Sequence, residues 1–547
     1  MTTLGRSEPF AFRAGANLWS SDVNSAVSVR VGARVAEVAR PTLRAAAWIA
    51  GFWLTAHVFL AFDEPLRHSP IAYDEEFFAW GGWSINKGLV PYKDFVEFKP
   101  PILFLTHALA QKLFGLQDLA FRRFFTILPL ASLLLLQASL LWRKIDAVLA
   151  TALTVAFVAL FVNPAFHDRA LADSESIGLS YFVLGLGFLL AQTKYRNVTD
   201  AVGAAFMACA VFSKEPFAPA VVATWASVFL LRDGVIDFRR GAVRYVKFTG
   251  LGVAVVILGL CLYMVPTGSM KAYLQMVGSY ARIHRDPKLS YCVALGLFHP
   301  STPIHEFEVQ WEGMRQQFLN FAVLGYMAPL FAAACVYIPR RSSLLLVATT
   351  AGLVGGLWAV TSTNCQWPHY YTMTMSGVIA FLAIGLDAMK GSFWAADPYM
   401  RAFVRVAVAG TIAATVYPRY AAGVQLVHTG PVALEPIPGI FEFVASHSAP
   451  TDRIFTTGPP MLYVYTDRRN AAREGTIIDE ILGSYPGTTD EEKLRPVREE
   501  LVAHMPKIVV LDPERADRKR RHMNALVTPF LTDFHYRRES EYVYVRP

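Results

Sequence analysis

The sequence predicts an all-α polytopic membrane protein, with about 11 transmembrane helices, outer-face interfacial helices and a small C-terminal α/β extracytoplasmic domain. Three observations support this fold class. Hydrophobic residues make up 54% of the 547 residues and charged residues only 17%, and the mean hydropathy is +0.34. The apolar residues come in blocks of about 15–20, which suits membrane helices. The charged residues are denser in positions 419–547, which hold 17 basic and 18 acidic side chains, than in the longer apolar part before them.

Composition excludes several other classes. Disordered, collagen-like and coiled-coil chains do not contain long apolar blocks separated by short polar stretches. The formal net charge of +8 comes from Lys and Arg in short loops between apolar runs, which is typical of residues that fix membrane orientation, so we expect no nucleic-acid partner. The five cysteines are scattered, and they form neither a metal-ligand spacing nor a disulfide framework.

The first 43 residues are predicted to be a cytoplasmic N-terminal leader, because they are polar, contain arginines and lack the apolar core of a signal peptide. A transmembrane domain is predicted over 44–418. Since an unpaired backbone is excluded from lipid, each apolar block is expected to be a helix. The predicted spans are 44–63, 121–141, 145–163, 177–192, 199–213, 216–231, 248–265, 319–338, 343–361, 372–389 and 402–418.

The apolar block 101–115 is short, follows two prolines and carries His107, Gln111 and Lys112. Its placement decides the sidedness of everything after it. If it does not cross the membrane, the later basic loops all fall on the side of the Arg-rich N-terminus, as the positive-inside rule requires. We therefore interpret it as a helix lying at the outer interface. The loops concerned are 143–144, 194–196, 232–247, 340–341 and 390–401.

This topology places four polar segments together on the extracytoplasmic side, where the polar tail joins them. The segments are 64–120, 164–176, 266–318 and 362–371. Residues 419–547 are predicted to be a soluble extracytoplasmic α/β domain, because helix-like stretches alternate there with short β-rich runs. The helical stretches are 440–448 and 490–504, and the β-rich runs are 453–457, 507–511 and 541–545.

Two groups of acids lie in these outer segments. Asp74, Glu75 and Glu76 are consecutive and follow the first span, and Asp173 lies in a second acidic stretch after the third. Both groups could be ordinary solvated loops. Alternatively, one carboxylate that is partly desolvated at the membrane surface could act as a general base or a metal ligand.

Basic side chains are the exception on the outer face. Lys99, the pair Arg122 and Arg123, and Lys214 could simply extend to lipid phosphates. Alternatively, several of these cations could converge on one anionic headgroup. His369 and Tyr370 precede a late span, where Tyr is typical of the interfacial aromatic belt. Alternatively, these two residues supply hydrogen-bond donors that such a belt does not need.

The motifs occur in an order that resembles the GT-C superfamily of membrane glycosyltransferases, which use polyprenyl-phosphate sugars. The most similar members are bacterial relatives of the protein O-mannosyltransferases and of the enzyme that adds aminoarabinose to lipid A. The resemblance covers the chain to about residue 390 and is most specific in the first 120 residues. The matching motifs are Asp74-Glu75, Gly88…Pro91-Tyr92…Asp94…Lys99-Pro100-Pro101, Phe114-Gly115 followed by an arginine, Leu171-Ala172-Asp173, Lys214 and Pro368-His369-Tyr370-Tyr371.

The resemblance implies roles for these residues within a GT-C-like catalytic domain over 44–418. Asp74 would be the catalytic base, with Glu75 and Asp173 shaping the site or orienting the acceptor. The donor phosphate would be held by Lys99, Arg123, Lys214, His369 and Tyr370. Arg123 is preferred to Arg122 because its spacing to Leu128 fits the family better. Glu76, a third acid, departs from the family pattern and leaves the choice of catalytic acid open.

The resemblance further implies a multi-pass enzyme of the bacterial inner membrane, with its active site on the periplasmic face. It would transfer a hexose or pentose from a polyprenyl-phosphate donor to a hydroxyl of a glycan, lipid or protein acceptor, with inversion. Its other partners would be membrane lipids. The sequence requires no cofactor, although a divalent metal is compatible with the acids. The alternatives are a transporter or flippase for a lipid-linked glycan, which would place its functional charges inside the spans, and a membrane scaffold.

Overall fold

The computed structural model describes most of the chain up to residue 283 and several separate ranges after it. The described residues are 21–67, 71, 73–161, 171–191, 193–233, 238–283, 347–351, 372–389, 397–399, 401–403, 405–406, 409–410, 413, 437, 439–458, 460–473, 489–512 and 518–547. Residues 1–51 and 52–547 form two compact units. The first helix, α1 (Ser21–Arg67), extends through the boundary between them.

The described part of the chain is mostly helical. After α1 come α2 (Tyr73–Asn86), α3 (Pro101–Phe114), α4 (Arg122–Trp142), α5 (Ala147–Phe161), α6 (Ser174–Leu190), α7 (Arg196–Val211), α8 (Ala218–Asp233), α9 (Phe238–Met264), α10 (Ser269–Ile283) and α11 (Thr372–Met389). Short 3-10 turns at Gln117–Leu119 and Glu215–Phe217 precede α4 and α8.

Three of these helices contain segments that are long and apolar enough to cross a membrane: Pro41–Glu64, Gln117–Trp142 and Arg239–Met264. With its 21 residues, α4 is about 31 Å long, which matches a hydrocarbon layer of about 30 Å. These helices confirm the predicted spans 44–63, 121–141 and 248–265 as membrane-compatible. Four shorter apolar helices coincide with the predicted spans 145–163, 177–192, 216–231 and 372–389.

The total of eleven spans stays a prediction. The predicted span 319–338 lies outside the described residues, and only 347–351 of the span 343–361 and parts of 402–418 are described. The predicted leader boundary at 43 lies within α1.

The helix α2 lies within the predicted polar outer segment 64–120. Its first turn contains the three consecutive acids, which suits the positive end of the helix dipole. It packs against α3 at Gly82, where a Cβ atom would lie 2.7 Å from the backbone of Ala108. The next helix, α3, confirms the predicted helix 101–115. Pro101 lies in its first turn, and it ends at Gly115, whose φ is +82°.

The helix α6 is at the centre of the helical region and packs between α4 and α7. Nearly all of its residues are buried. Close approach is possible because glycines face the neighbouring helices. A Cβ atom at Gly185 would lie 2.7 Å from the carbonyl oxygen of Gly203 in α7. The polar start of α6 is therefore surrounded by helices, and it carries Asp173 as its N-cap.

The C-terminal part of the chain forms a five-stranded sheet of order β2-β1-β3-β5-β4. The strands β1 (Arg453–Thr456), β2 (Arg469–Asn470) and β3 (Ile508–Val510) are parallel, and β4 (Arg537–Arg538) and β5 (Val543–Val545) add antiparallel. The helices are α12 (Ile440–His447), α13 (Met461–Thr466), α14 (Asp490–His504) and α15 (Arg518–Asp533). Side chains of α14 and α15 pack with Phe455 and Val509 of the sheet in one apolar core. Both strands and helices occur in the described residues of this part of the chain, and the soluble extracytoplasmic domain over 419–547 stays a prediction.

Candidate functional site

Glu75 is locked in a buried ion pair. Its side chain is only 1% exposed, and the guanidinium of Arg122 donates to both carboxylate oxygens, at 2.7 Å from Nε and 2.6 Å from Nη2. Arg122 also donates to the carbonyl oxygen of Arg67 at 2.9 Å. This bidentate geometry is the strong form of an arginine–carboxylate contact. The pair therefore ties the start of α2 to α4 and to the end of α1.

Asp74 and Arg123, which are adjacent in sequence to the buried pair, face the surface. Asp74 is exposed in the first turn of α2, and Arg123 is exposed in the first turn of α4. The buried partner of Glu75 is thus Arg122, and Arg123, the predicted phosphate ligand, is at the surface. An exposed carboxylate and an exposed guanidinium at adjacent helix starts are both available to a ligand.

The segment from Lys87 to Pro100 carries the next predicted residue, Lys99. Tyr92 holds this segment in a strained conformation, with φ of +65° and its side chain 2% exposed. Its hydroxyl donates to the carbonyl oxygen of Lys99 at 2.7 Å, and its ring contacts that of Tyr273 in α10, with centroids 4.9 Å apart. Lys99 itself is half-buried. Tyr92 therefore fixes the backbone at Lys99.

Glu97 lies next to the predicted site and was not among the predicted residues. Its side chain is 6% exposed, and its Oε1 accepts the N–H groups of Phe98 at 2.7 Å and Lys99 at 3.3 Å. Burial raises the pKa of Glu97 above its ordinary value, the charge of Lys99 opposes this rise, and the charge of Asp74 adds to it. The structure thus brings Asp74, Glu97 and Lys99 into one electrostatic neighbourhood.

Asp173 has a structural contact that explains its position. It is 5% exposed and caps α6, with its Oδ1 accepting the N–H of Ser176 at 2.6 Å. The preceding carbonyl, of Ala172, accepts a hydrogen bond of 2.9 Å from Nε2 of His107 in α3. Burial lowers the pKa of His107 to about 3, so this ring is neutral. His107 and the cap together fix Asp173 relative to α3.

Lys214 forms a second buried ion pair. Its Nζ is 2.6 Å from Oε1 of Glu175, and the two side chains are 7% and 1% exposed. The hydroxyl of Ser174 donates to the other oxygen of Glu175 at 2.7 Å. Asp173 and Lys214 are therefore neighbours through the start of α6. Since Glu175 neutralises the charge of Lys214, its contact in this structure is structural.

The residues around Lys99 are connected to those around Lys214. The N–H of Ile102, at the start of α3, donates to the carbonyl oxygen of Phe212 at 3.1 Å, two residues before Lys214. Lys99 and Lys214 both interact electrostatically with Glu215. His369 and Tyr370 lie outside the described residues. Within the described ranges, no group of three His, Cys, Asp or Glu side chains could hold a metal ion.

Four residues of this region were not predicted from the sequence as site residues: Tyr92, Glu97, His107 and Glu175. Glu97 and Tyr92 are in the motif that carried the family resemblance, so their fixed spacing to Lys99 was an available signal. His107 was visible only as an isolated polar residue in an apolar block. No pattern in the sequence pairs Glu175 with Lys214, because the partners are 39 positions apart and on different helices.

Comparison with solved structures supplies the fold family. ArnT from Cupriavidus metallidurans in the apo state aligns with a TM-score of 0.53 and 14% identity, covering 92% of this chain and 98% of that one. The chain therefore has the fold of this ArnT. The same ArnT bound to undecaprenyl phosphate aligns with a TM-score of 0.53 and 13% identity, over 91% of this chain and 98% of that one.

A second solved structure has the same general fold. The oligosaccharyltransferase of Archaeoglobus fulgidus in the apo form aligns with a TM-score of 0.50 and 14% identity, over 85% of this chain and 69% of that chain. No protein-family model matches the sequence, and no curated protein matches it either. The expected structural resemblance to the GT-C superfamily is confirmed. At these identities the comparisons establish the fold and leave the activity to the site.

Proposed function

We propose that the protein is a GT-C type glycosyltransferase that moves a sugar from a polyprenyl-phosphate donor to an acceptor hydroxyl on the extracytoplasmic side of the membrane. The observation that carries the proposal is the difference among the three predicted acids. Glu75 is buried and paired with Arg122. Asp173 is buried and accepts a hydrogen bond from the backbone at the start of α6. Asp74 is exposed beside Glu97 and Lys99. Asp74 is thus the predicted acid that an acceptor can reach.

In the proposed reaction, Asp74 accepts the proton of the acceptor hydroxyl as its oxygen attacks the anomeric carbon. The new carbon–oxygen bond forms on the face opposite to the phosphate, which inverts the anomeric centre. The bond between the anomeric carbon and the phosphate oxygen breaks, and its electron pair leaves with the polyprenyl phosphate. Glu75 and Asp173 orient the site through their helices, and Glu97 supports the backbone at Lys99.

The departing phosphate gains negative charge, so cations near it lower the barrier. Lys99 and the exposed Arg123 are proposed to bind it, together with His369 and Tyr370. Lys214 is proposed to position the start of α6 beside the phosphate, because its ammonium group is paired with Glu175. A donor of this kind agrees with the undecaprenyl phosphate bound by the ArnT that shares this fold.

A divalent metal is not needed for these steps. The acids that could bind one are Asp74 and Asp173, and Asp173 uses Oδ1 as a helix cap. We therefore assign no step to a metal ion.

The location proposed for the enzyme is the bacterial inner membrane, with about 11 spans. The soluble domain 419–547 would then be on the periplasmic face. The acceptor would be a glycan, a lipid or a protein.

The test compares cell-envelope glycans by mass spectrometry in cells that lack the gene, express the wild-type protein or express Asp74→Asn. One glycan is expected to carry an added sugar mass with the wild type and to lose it in the other two strains. Loss of a base typically costs a factor of about 10² to 10⁴ in rate. In the purified variant, affinity for polyprenyl phosphate is expected to change by less than about threefold, since the base contacts the acceptor.

The matched control is Asp118→Asn. Asp118 is also exposed, and its φ of +50° suits asparagine, so the sugar addition should persist. A normal glycan profile in Asp74→Asn cells would overturn the assignment of the base. An unchanged set of glycan masses in cells without the gene would overturn the transferase. A glycan that keeps its mass but changes membrane leaflet would indicate the flippase.

A further inference from the structure

We propose that the C-terminal α/β unit is a positioning element for the segment 87–100, and that Arg473 and Glu500 are its positioning residues. The inference rests on the proposed function, because that segment carries Lys99 and Glu97. The contact at its centre is a backbone hydrogen bond. The N–H of Val96 donates to the carbonyl oxygen of Arg473 at 3.1 Å.

The acceptor side of this hydrogen bond is held rigidly. The N–H of Arg473 donates to Oε2 of Glu500 at 2.6 Å, and its guanidinium Nε donates to Oε1. The preceding residue but one, Ala471, donates its N–H to Ile454 of the sheet at 2.9 Å. The carbonyl oxygen of Ala471 accepts a hydrogen bond from Nδ1 of His504 at 2.7 Å. The position of the Arg473 carbonyl is thus set by the sheet and by α14.

Two further contacts attach the same unit to the same region. The Nζ of Lys87 is 2.6 Å from Oδ1 of Asp467. The ring of Tyr463 in α13 lies against that of Trp80 in α2, with centroids 6.0 Å apart. Both rings are fully buried. The unit therefore contacts the segment at Lys87 and at Val96, together with the helix that carries Asp74.

The hydrogen bond at Val96 is one residue from Glu97, whose carboxylate binds the N–H groups of Phe98 and Lys99. Movement at Val96 therefore displaces Lys99. On the opposite side, Ser269 of α10 donates its hydroxyl to the carbonyl oxygen of Pro91 at 2.7 Å. The segment is held between α10 and the C-terminal unit. A small misplacement of a positioned group can cost a large factor in rate.

The first experiment measures amide hydrogen exchange of the full-length protein in lipid nanodiscs, using the peptide that contains Val96. Glu500→Ala removes both acceptors of Arg473, and exchange in this peptide is expected to rise at least about fivefold. The matched control is Arg498→Ala on the same helix. It removes an ion pair with Asp533 away from the segment, and exchange at Val96 should not change. Wild-type exchange in Glu500→Ala would overturn the proposal.

The second experiment measures transfer kinetics of the same variants. In Glu500→Ala, kcat is expected to fall about tenfold and the KM for donor to change less than about threefold, because alignment matters most in the transition state. Glu500→Gln keeps one acceptor oxygen and should recover part of the rate. Faster exchange with a wild-type kcat would overturn the positioning role. Absence of transfer in the wild type would instead overturn the proposed function. The exchange result would still decide whether the C-terminal unit holds the segment 87–100.

Asp467→Asn provides a second variant in case Glu500→Ala does not fold. The pair with Lys87 is partly exposed, so its loss is tolerated by the rest of the unit. Exchange in the peptide that contains Lys87 is expected to rise at least about twofold while peptides from β5 remain unchanged. Equal exchange at Lys87 in this variant and the wild type would contradict the attachment.

Discussion

Asp74 and Glu75 show how adjacent residues acquire different roles from helix geometry. Successive residues on a helix are rotated by about 100°, so one acid faces the bundle and the other faces outward. Glu75 meets Arg122 and is 1% exposed. Asp74 is exposed. Arg122 and Arg123 repeat this division on α4. At each helix start, one residue stabilises the fold and its neighbour is available for chemistry.

Arg122→Ala should separate these two roles. It leaves the buried carboxylate of Glu75 without its partner, which typically costs about 3–5 kcal/mol of unfolding free energy. Arg123→Ala is the matched control. Its effect on stability should stay below about 0.5 kcal/mol, while donor affinity falls because a proposed phosphate ligand is lost. Thermal unfolding in detergent and binding of polyprenyl phosphate are the two measurements. Equal loss of stability in both variants would contradict the division.

Glu97 predicts a dependence of stability on pH. Its pKa in the folded protein is raised above the ordinary value of 4.5. Above that value the unfolded chain releases the proton first, so stability falls as pH rises until the folded pKa is passed. The loss is up to about 1.4 kcal/mol per unit of pKa difference.

Glu97→Gln keeps an acceptor for the N–H groups of Phe98 and Lys99 and removes the proton release. The melting temperature of this variant should therefore fall less than that of the wild type as pH is raised above about 4.5. Comparing the two proteins cancels the other titrating groups. Parallel curves of melting temperature against pH would show that burial does not shift this carboxyl.

Among the elements, the apolar helices were predictable, including the short α3, and the outer helix α2 was not. The predicted span 121–141 corresponds to Arg122–Trp142, and 372–389 has the bounds of Thr372–Met389. Their apolar length is a sufficient signal because lipid permits only helices there. The helix α2 was missed because it opens with three acids and lies in a stretch judged by its polarity. Tertiary contacts with α3 and α13 stabilise it, and a local pattern does not contain them.

The packing of α2 on α3 controls the relative position of Asp74 and Lys99. At Gly82 a new Cβ atom would lie 2.7 Å from the backbone of Ala108 and 2.7 Å from the Cβ of His107. Gly82→Ala should therefore force the helices apart and cost about 1–3 kcal/mol. Gly250→Ala in α9 is the control, since nothing lies within 4 Å of that Cβ. It should be neutral or stabilise by up to about 1 kcal/mol. Unfolding curves of the two variants distinguish them, and similar stability would contradict the close approach.

For the whole molecule, buried ion pairs mark both ends of α4. Arg122 binds Glu75 at its start, and Arg143, just after its end, donates from Nε to Asp387 of α11 at 2.6 Å. Apolar length predicts where such a helix lies, but not which charges pair at its ends. Glu75 and Arg122 are 47 positions apart, and Arg143 and Asp387 are 244 apart. These pairings follow from the packing of helices that are distant in sequence, so the sequence located the candidate acids without separating the buried ones from the exposed one.

The proposed sidedness can be tested at three exposed positions. Asp118 precedes α4, Lys144 follows it, and Asp467 contacts Lys87 on the side of the site. Single cysteines at these positions are introduced after replacement of the five native cysteines. A thiol reagent that does not cross the membrane should label positions 118 and 467 in intact spheroplasts. Position 144 should react only after permeabilisation, because α4 spans about 31 Å.

The labelling of position 467 shows on which side of the membrane the C-terminal unit lies. The contact with Lys87 requires that the C-terminal unit and the segment 87–100 are on the same side. The positive-inside rule independently places the basic loop at 143–144 in the cytoplasm. Labelling of 467 together with 144, and not with 118, would contradict both arguments. It would place the sheet across the bilayer from Asp74, where it could neither support Lys99 nor meet an extracytoplasmic acceptor. Labelling of 467 with 118 would keep the site, the supporting unit and the acceptor on one face.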